Sequence, residues 1–570
     1  MAVLRLRGQW MIGVLALLGL AALIWAAVGR RAGRDSGKPG DPHGVRRFFQ
    51  YTLLYGLFVV VAFGSAGLVG RILGAGSEGP VLIGRREVAL ARDLSFFLIG
   101  APLYAGLGWW SLKRLRSEPE ERRSLGWLIY STAATVTALG VAMGAVHDVA
   151  AALFGSTDLD RWAAGRAVVW GLAWFGHRIV VRRIPSGTPE LPLIAGSAIG
   201  LVVAAGGLSS LLSGAIEVLI QEQAMVSRSP LGDAGATLVV GAAAWVAHWS
   251  AALKMERSPL WLGYVFVFGV GGGLLAALAA AGAVFRDVLV WFVGDPRTPD
   301  ATRHFDDLPG AVSVALVAGI VWWYHRAVVH RHETERAEPR RIYEYLVAGI
   351  GLLAAAGGST ALLVGFLEAV SGARTIVEGD TAVNTLLGAA TYLVIGSPVW
   401  WSFWRRIQST DLEAEVTSPT RRFYLFAVLG SGVVVGVSAL ITATFIVLEG
   451  VLGGDLRADI LFAVRLAAAS LVIAAVVVAY HWAIYRSDRA RSPAPQGGPR
   501  YVLLIGPADK DVVRAVRERT GAEVQLWTRT DQVPPWSADE VVESLAGISD
   551  DEVVVVAGPE GPRVMGVERA

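Results

Sequence analysis

The chain has 570 residues, 54% of them hydrophobic and only 17% charged, with a mean hydropathy of +0.50. Soluble chains average about 25% charged residues, so an ordinary water-soluble protein is excluded at the outset. The net charge of +3 hides an asymmetry: residues 500–570 hold 8 Lys/Arg against 13 Asp/Glu, which leaves +8 on residues 1–499. An acidic tail argues against nucleic-acid binding, and the lack of cysteine excludes disulfides, thiolate metal sites and a cysteine nucleophile. No residue pattern names a reaction or a cargo; what is legible is architecture.

Apolar stretches recur from residue 10 to residue 485. A hydrocarbon core of roughly 30 Å needs about 20 helical residues. By that rule thirteen spans are predicted, at about 9–28, 49–73, 94–112, 125–154, 160–181, 191–220, 232–252, 259–293, 307–325, 342–371, 380–404, 423–452 and 458–485. In the first, Arg5 and Arg7 precede the apolar run as in a signal peptide. However, Ala26-Ala27-Val28 runs straight into Arg30 and Arg31 with no small-x-small cleavage site, so an uncleaved anchor is expected. The loops after spans 1, 3, 5, 7, 9 and 11 carry about 25 Lys/Arg, and the N-terminus with the other loops about 13. Since Lys/Arg excess marks the cytoplasmic side, the N-terminus is expected outside and the C-terminal tail inside.

After the first span the chain repeats itself. Six helical hairpins start near Arg46, Arg123, Glu190, Ser258, Arg340 and Thr420, each with a long Gly/Ala-rich helix, a polar turn and a returning helix. The returning helices end alike: Gly108-Trp109-Trp110-Ser111, Trp174-Phe175-Gly176-His177, Trp245-Val246-Ala247-His248, Trp322-Trp323-Tyr324-His325, Trp400-Trp401-Ser402-Phe403 and Ala479-Tyr480-His481-Trp482.

Several openings are also shared: Arg46-Arg47-Phe48-Phe49, Arg340-Arg341-Ile342-Tyr343 and Arg421-Arg422-Phe423-Tyr424. With Ser397-Pro398-Val399-Trp400-Trp401 these resemble the bacterial membrane family called domain of unknown function 5671. That family's unit is about four helices, so the resemblance implies three tandem copies over roughly 47–183, 190–330 and 340–486. It implies no activity, substrate or catalytic residue. The expected division is therefore 1–45 (anchor and basic loop), 46–188, 189–335 and 336–486 (three four-helix units), 487–499 (linker) and 500–570 (soluble domain). Four Lys against 47 Arg point to a GC-rich bacterial genome.

Ionisable residues within spans are functional candidates by default. Asp148, Glu217, Asp287, Glu368 and Glu449 each sit 25 to 29 residues into a long helix. At about 1.5 Å per residue that is roughly 40 Å, which places them at the outer interface. Hairpin-capping or interfacial charges are expected, with a cation-collecting vestibule as the alternative. Arg166 lies deeper, and spacing about the turn pairs it with Asp148; similar logic pairs Arg465 with Glu449. A structural ion pair is favoured over a proton pathway. Adjacent helical positions diverge, so His147 is not expected to act with Asp148.

Trp174, His177, Trp245, His248, Trp322, His325, Trp401 and His481 share one level and read as an inner interfacial belt, with haem or metal ligation as the alternative. Gly140 and Gly144, Gly432 and Gly436, and Gly271-Gly272-Gly273 read as close-packing positions, with Gly357-Gly358 at a comparable depth.

In the tail the period changes. Strands are predicted at 501–505, 522–528, 552–557 and 563–567, and helices at 509–519 and 537–545, with Ser537 opening a capping box. The turn from Gly506 to Asp509 is a possible phosphate cradle, but no Gly-x-Gly-x-x-Gly or P-loop is present. The expectation is an all-α polytopic membrane protein of about thirteen transmembrane helices with a small C-terminal α/β domain. It is expected in a bacterial plasma membrane as a scaffold or sensor, with a transporter or channel as the alternative. No catalytic residue, cofactor or metal is expected. The expected partners are membrane lipids and a cytoplasmic protein for residues 500–570.

Overall fold

The computed structural model describes residues 44–74, 83–220, 230–255, 258–330, 338–371, 381–409, 415–416, 418–453, 459–491, 499–531, 535–546, 548, 550–559 and 561–567. The first predicted span, 9–28, lies outside them, as does most of the linker.

Six hairpins are present among these residues. They are α1 (Gly44–Gly74) with α2 (Ile83–Ser117), α3 (Leu125–Leu153) with α4 (Arg161–Arg183), and α5 (Leu191–Ile220) with α6 (Pro230–Ala252). Then follow α7 (Pro259–Val293) with α8 (Leu308–His330), α9 (Glu338–Ser371) with α10 (Ala382–Gln408), and α11 (Pro419–Leu452) with α12 (Asp459–Arg491). Eleven of these helices are long and apolar enough to cross a membrane. The remaining one, α4, has the length, but Arg166, His177 and Arg178 dilute its hydropathy. A full set of thirteen is therefore not established.

Local signals explain the boundaries. Ser124, Asp160 and Ser258 cap α3, α4 and α7 by accepting from the backbone N–H of Trp127, Trp162 and Trp261, each worth about 1 kcal/mol. Gly155 takes the left-handed conformation (φ 77°) that ends the α3 turn. One boundary departs from the sequence reading: α2 begins at Ile83, not near residue 94. Its charged first turns lie beyond the apolar window, so hydropathy alone cannot see them.

Each copy closes on itself, its first helix against its fourth. In the first copy α1 packs on both α2 and α4, and Gly165 sits so close that an added Cβ would meet the Gly70 backbone N at 2.5 Å. In the second copy α5 packs on α8. In the third, α9 reaches α12 through an Arg465–Glu368 contact of 2.7 Å. Tyr51, Leu54, Phe58, Trp127, Tyr130 and Trp170 centre the first copy's core. Trp249, Trp261, Tyr264, Val265 and Val270 centre a second core that continues to Tyr343 and Val347.

The chain divides into two compact units, Met1–Ile407 with Val434–Ala474, and Gln408–Val433 with Ala475–Ala570. The second unit contains a small α/β domain: β1 (Tyr501–Gly506), α13 (Lys510–Thr520), β2 (Glu523–Thr528), α14 (Ala538–Ser544), β3 (Glu552–Gly558) and β4 (Gly561–Gly566). The sheet order is β2-β1-β3-β4, with β1 parallel to both neighbours and β4 antiparallel to β3. Alternating burial along β1 and β3 turns Val502, Leu504, Val553 and Val555 into one core with Val512, Val516 and Val541. Gly521 ends α13 at φ 69°. Ser537 stands at the start of α14 but makes no side-chain cap bond, so only the position of the predicted capping box holds.

Candidate functional site

The polar groups fall at three levels. At the acid-bearing ends of the hairpins, Arg166 Nη2 lies 3.1 Å from Asp148 Oδ2 and 3.5 Å from Asp160 Oδ2. His147 stands 3.6 Å from Asp148 and 3.4 Å from Asp233, so it joins two hairpins after all. Glu217 accepts from Ser213 Oγ at 2.9 Å. Asp287 lies 3.6 Å from Arg286, and its backbone carbonyl faces His304 Nε2 at 3.0 Å.

The expected Arg465–Glu449 pair is not formed. Arg465 bonds Glu368 on α9, and Glu449 is exposed. Closure of the first helix on the fourth presents Arg465 to α9 rather than to its own hairpin partner. Sequence reasoning also missed Asp93 at this level. It is buried on α2, 2.7 Å from Arg92 and 3.4 Å from Arg71, and is packed where a Gly67 Cβ would stand.

At the opposite, arginine-rich ends, ion pairs staple the hairpins. Glu121, fully buried on the one-turn helix Pro119–Arg122, receives Arg46 Nη2 at 2.8 Å, Arg47 Nε at 2.9 Å and the Tyr51 hydroxyl at 3.1 Å. Burial alone would raise its carboxyl, but the hydrogen bonds from Arg47 and Arg46 outweigh that and hold it below the usual carboxylate range. In the last hairpin Arg421 grips Asp488 with two bonds, of 2.6 and 3.0 Å. A Glu-x-x-Ser signal was available in the sequence: Glu121 precedes Ser124 as Glu415 precedes Ser418, and both serines donate their backbone N–H to the glutamate carbonyl, at 3.2 and 3.0 Å.

The tryptophan–histidine endings are packed inside the protein rather than on its surface. His248, His325 and His481 are at most 1% exposed. All four histidines turn Nδ1 to the carbonyl four residues back, His177 to Ala173 and His248 to Ala244 at 2.8 and 2.7 Å, His325 to Val321 and His481 to Val477 at 2.8 Å. A paired glycine receives each ring of the second copy. A Cβ on Gly196 would meet the His248 ring at 2.4 Å and one on Gly200 the Trp245 backbone at 2.4 Å. Gly269 meets His325 at 2.3 Å and Gly273 the Trp322 backbone at 2.8 Å in the same way. Thus Gly-x-x-x-Gly on the outgoing helix is the mould for Trp-x-x-His on the returning one. Trp174 and Trp245 lie against the next copies of the histidine, His248 and His325, with ring centroids 5.6 and 6.5 Å apart. One member of each tryptophan pair faces outward: Trp109, Trp323 and Trp401 are more than half exposed.

The glycines named from sequence divide accordingly. Gly140, Gly144 and Gly357 have nothing within 4 Å of an added Cβ, while Gly358 abuts the Leu393 backbone. Gly436 makes an ordinary contact with Ala474. Gly271 and Gly272 serve a π turn over Val265–Gly272, where a Cβ would strike the carbonyls of Phe266 and Val267.

Two cavities open among these groups. The first copy holds a cavity of about 450 Å³, lined by Phe58, Tyr104, Trp127, Tyr130, Gly176 and His177 among mostly apolar neighbours that include Ser65 and Ser111. A second, of about 320 Å³, lies between α7, α9 and α10 and is lined by Arg286, Asn384, Thr385, Thr391 and Tyr392. Among the described residues no cluster of three or more His, Cys, Asp or Glu is arranged to hold a metal. In the C-terminal α/β domain the Asp509 carboxylate accepts from the N–H groups of Asp511 and Val512 at 2.8 and 3.4 Å, so it occupies the donors a phosphate would use.

No curated protein and no solved structure matches the chain. The family model described as Domain of unknown function (DUF5671) matches residues 47–176, 190–324 and 341–467, one match per four-helix copy. Those three matches cover more than half of the chain, which therefore belongs to the DUF5671 family as a tandem array of three copies.

Proposed function

We propose that the chain is a multi-pass scaffold or sensor of a bacterial plasma membrane, with its N-terminus outside and its α/β domain in the cytoplasm, where that domain engages a protein partner. The reading includes no enzymatic step. The observation that carries it is the Arg421–Asp488 pair. It is buried and doubly bonded near the end of α12, the helix from which the soluble domain is reached. A brace at that place suits a membrane part that holds or moves the tail. The paired charges elsewhere agree: buried ions tie helix to helix, as scaffolding requires.

A photo-crosslinking residue at the exposed Trp527 of the full-length chain, in native membranes, tests this. A discrete crosslinked protein is expected, lost when the chain stops after residue 491. Absence of any discrete product from the tail overturns the reading. A transporter or channel is the second reading, favoured by the polar lining of the Arg286 cavity. Solute flux in proteoliposomes that falls in Arg286→Ala would favour it.

A further inference from the structure

The first copy's cavity carries a polar end whose donors and acceptors can be counted. His177 Nδ1 faces the Ala173 carbonyl at 2.8 Å, so Nδ1 holds the ring proton and Nε2 of the neutral ring accepts. Tyr130 donates to that Nε2 across 3.2 Å. Its oxygen is then the acceptor for the Tyr104 hydroxyl, 3.3 Å away. The chain of protons ends at the oxygen of Tyr104, a residue that lines the cavity; it keeps a lone pair and has no proton left to give. Trp127, only 2% exposed and also lining the cavity, has a buried Nε1–H with no acceptor among the described residues. Of the two serines in the wall, Ser65 and Ser111, the second is already satisfied, donating to the Leu107 carbonyl and accepting from Gln50 Nε2. The rest is apolar and aromatic, with Phe58 edge-on to His177 at 4.6 Å. Leu172 and Gly176, lining residues that are themselves exposed, mark a mouth on the flank of α4 rather than at its end.

Besides the Ser65 hydroxyl, which can donate or accept, one unused donor and one unused acceptor in a largely apolar cavity with its mouth on the flank of α4 match a single group that both accepts and donates. We propose that this cavity binds an uncharged lipid alcohol. Its hydroxyl accepts from Trp127 Nε1 and donates to the Tyr104 oxygen, and its hydrocarbon chain runs past Phe58 and out by Gly176. A ketone, ester or ether accepts but cannot donate. A carboxylate brings a charge that no lysine or arginine lining the cavity answers. The volume of about 450 Å³ falls within the ~300–1,000 Å³ of small-molecule sites. Prenyl alcohols and acylglycerols both present such a hydroxyl, and the test separates them.

The test uses the full-length chain in lipid nanodiscs, titrated with tritiated geranylgeraniol and, separately, with tritiated dioctanoylglycerol. Saturable binding of one alcohol per chain is expected, and the alcohol that binds names the source. Geranylgeranyl methyl ether and palmitic acid should each compete at least tenfold more weakly than the alcohol. Gly176→Leu should abolish saturable binding without loss of fold, because a Cβ there meets nothing within 4 Å. Tyr104→Phe and Trp127→Phe should each weaken it about tenfold, as loss of one buried hydrogen bond predicts. Equal competition by the methyl ether on the unaltered protein, unchanged binding in Gly176→Leu, or no saturable binding of either alcohol overturns the proposal. Binding is read without the tail's partner, so this result and the crosslinking result stand or fall separately.

Discussion

A glycine pressed against a neighbouring backbone and a glycine facing open space respond to the same methyl group in opposite directions. Gly200→Ala would set a Cβ 2.4 Å from the Trp245 nitrogen, and overpacking of that kind costs about 1–3 kcal/mol. Gly140→Ala meets nothing and should be neutral or stabilising by up to about 1 kcal/mol. Thermal unfolding in detergent should therefore fall for the first and hold or rise for the second; equal shifts would contradict the Gly/Trp-x-x-His mould. Glu121 makes a second residue-level prediction. Its carboxyl is held below the usual range, so its contribution is fully present above the unfolded value of about 4.3 and is lost as pH falls through the lower folded value. Unfolding temperature measured from pH 7 down to pH 3 should drop more steeply in the parent than in Glu121→Gln, which starts less stable because Arg46 and Arg47 have lost their counter-charge. Parallel curves would contradict the assignment.

At the scale of elements, sequence periodicity was informative where one helix meets lipid and poor where two helices meet each other. Long apolar runs located α1, α3 and α5 through α12 to within a few residues, because crossing the bilayer demands a fixed apolar length whatever the neighbours. The same logic misplaced the start of α2, whose Arg85 to Asp93 turns are charged yet helical. It also failed at partners. The Arg166–Asp148 pair joins neighbours across one turn, which spacing can reveal. The Arg465–Glu368 pair joins the fourth helix of a copy to the first, and no count along one hairpin contains that information. Histidine levels were visible as a row, but their burial was not, since the glycine moulds lie on other helices. Arg465→Ala removes the 2.7 Å charged hydrogen bond to Glu368 and should destabilise by about 2 kcal/mol, whereas Glu449→Ala, at an exposed site, should change stability by less than about 0.5 kcal/mol. Chemical or thermal unfolding of the two variants side by side measures this, and equal effects would restore the hairpin-local pairing.

For the whole molecule, three matched copies and six hairpins give one organising rule: each copy closes first helix on fourth. The C-terminal α/β domain was the most legible part, with its strand and helix order readable from the change of period and its edge strand from the turn Gly558 to Gly561. The proposed topology makes its own prediction of sidedness: alternate loops on opposite faces of one membrane, with the tail on the side of the arginine-rich ends. The absence of native cysteine makes the decisive measurement clean. Single cysteines at the exposed positions Ser117, Lys254 and Ser537, and at Thr157 and Arg297, can be treated with a membrane-impermeant maleimide in intact cells. Labelling of Thr157→Cys and Arg297→Cys, with Ser117→Cys, Lys254→Cys and Ser537→Cys reacting only after permeabilisation, is the predicted result. Labelling of Ser117→Cys together with Thr157→Cys, or of Ser537→Cys in intact cells, would contradict it.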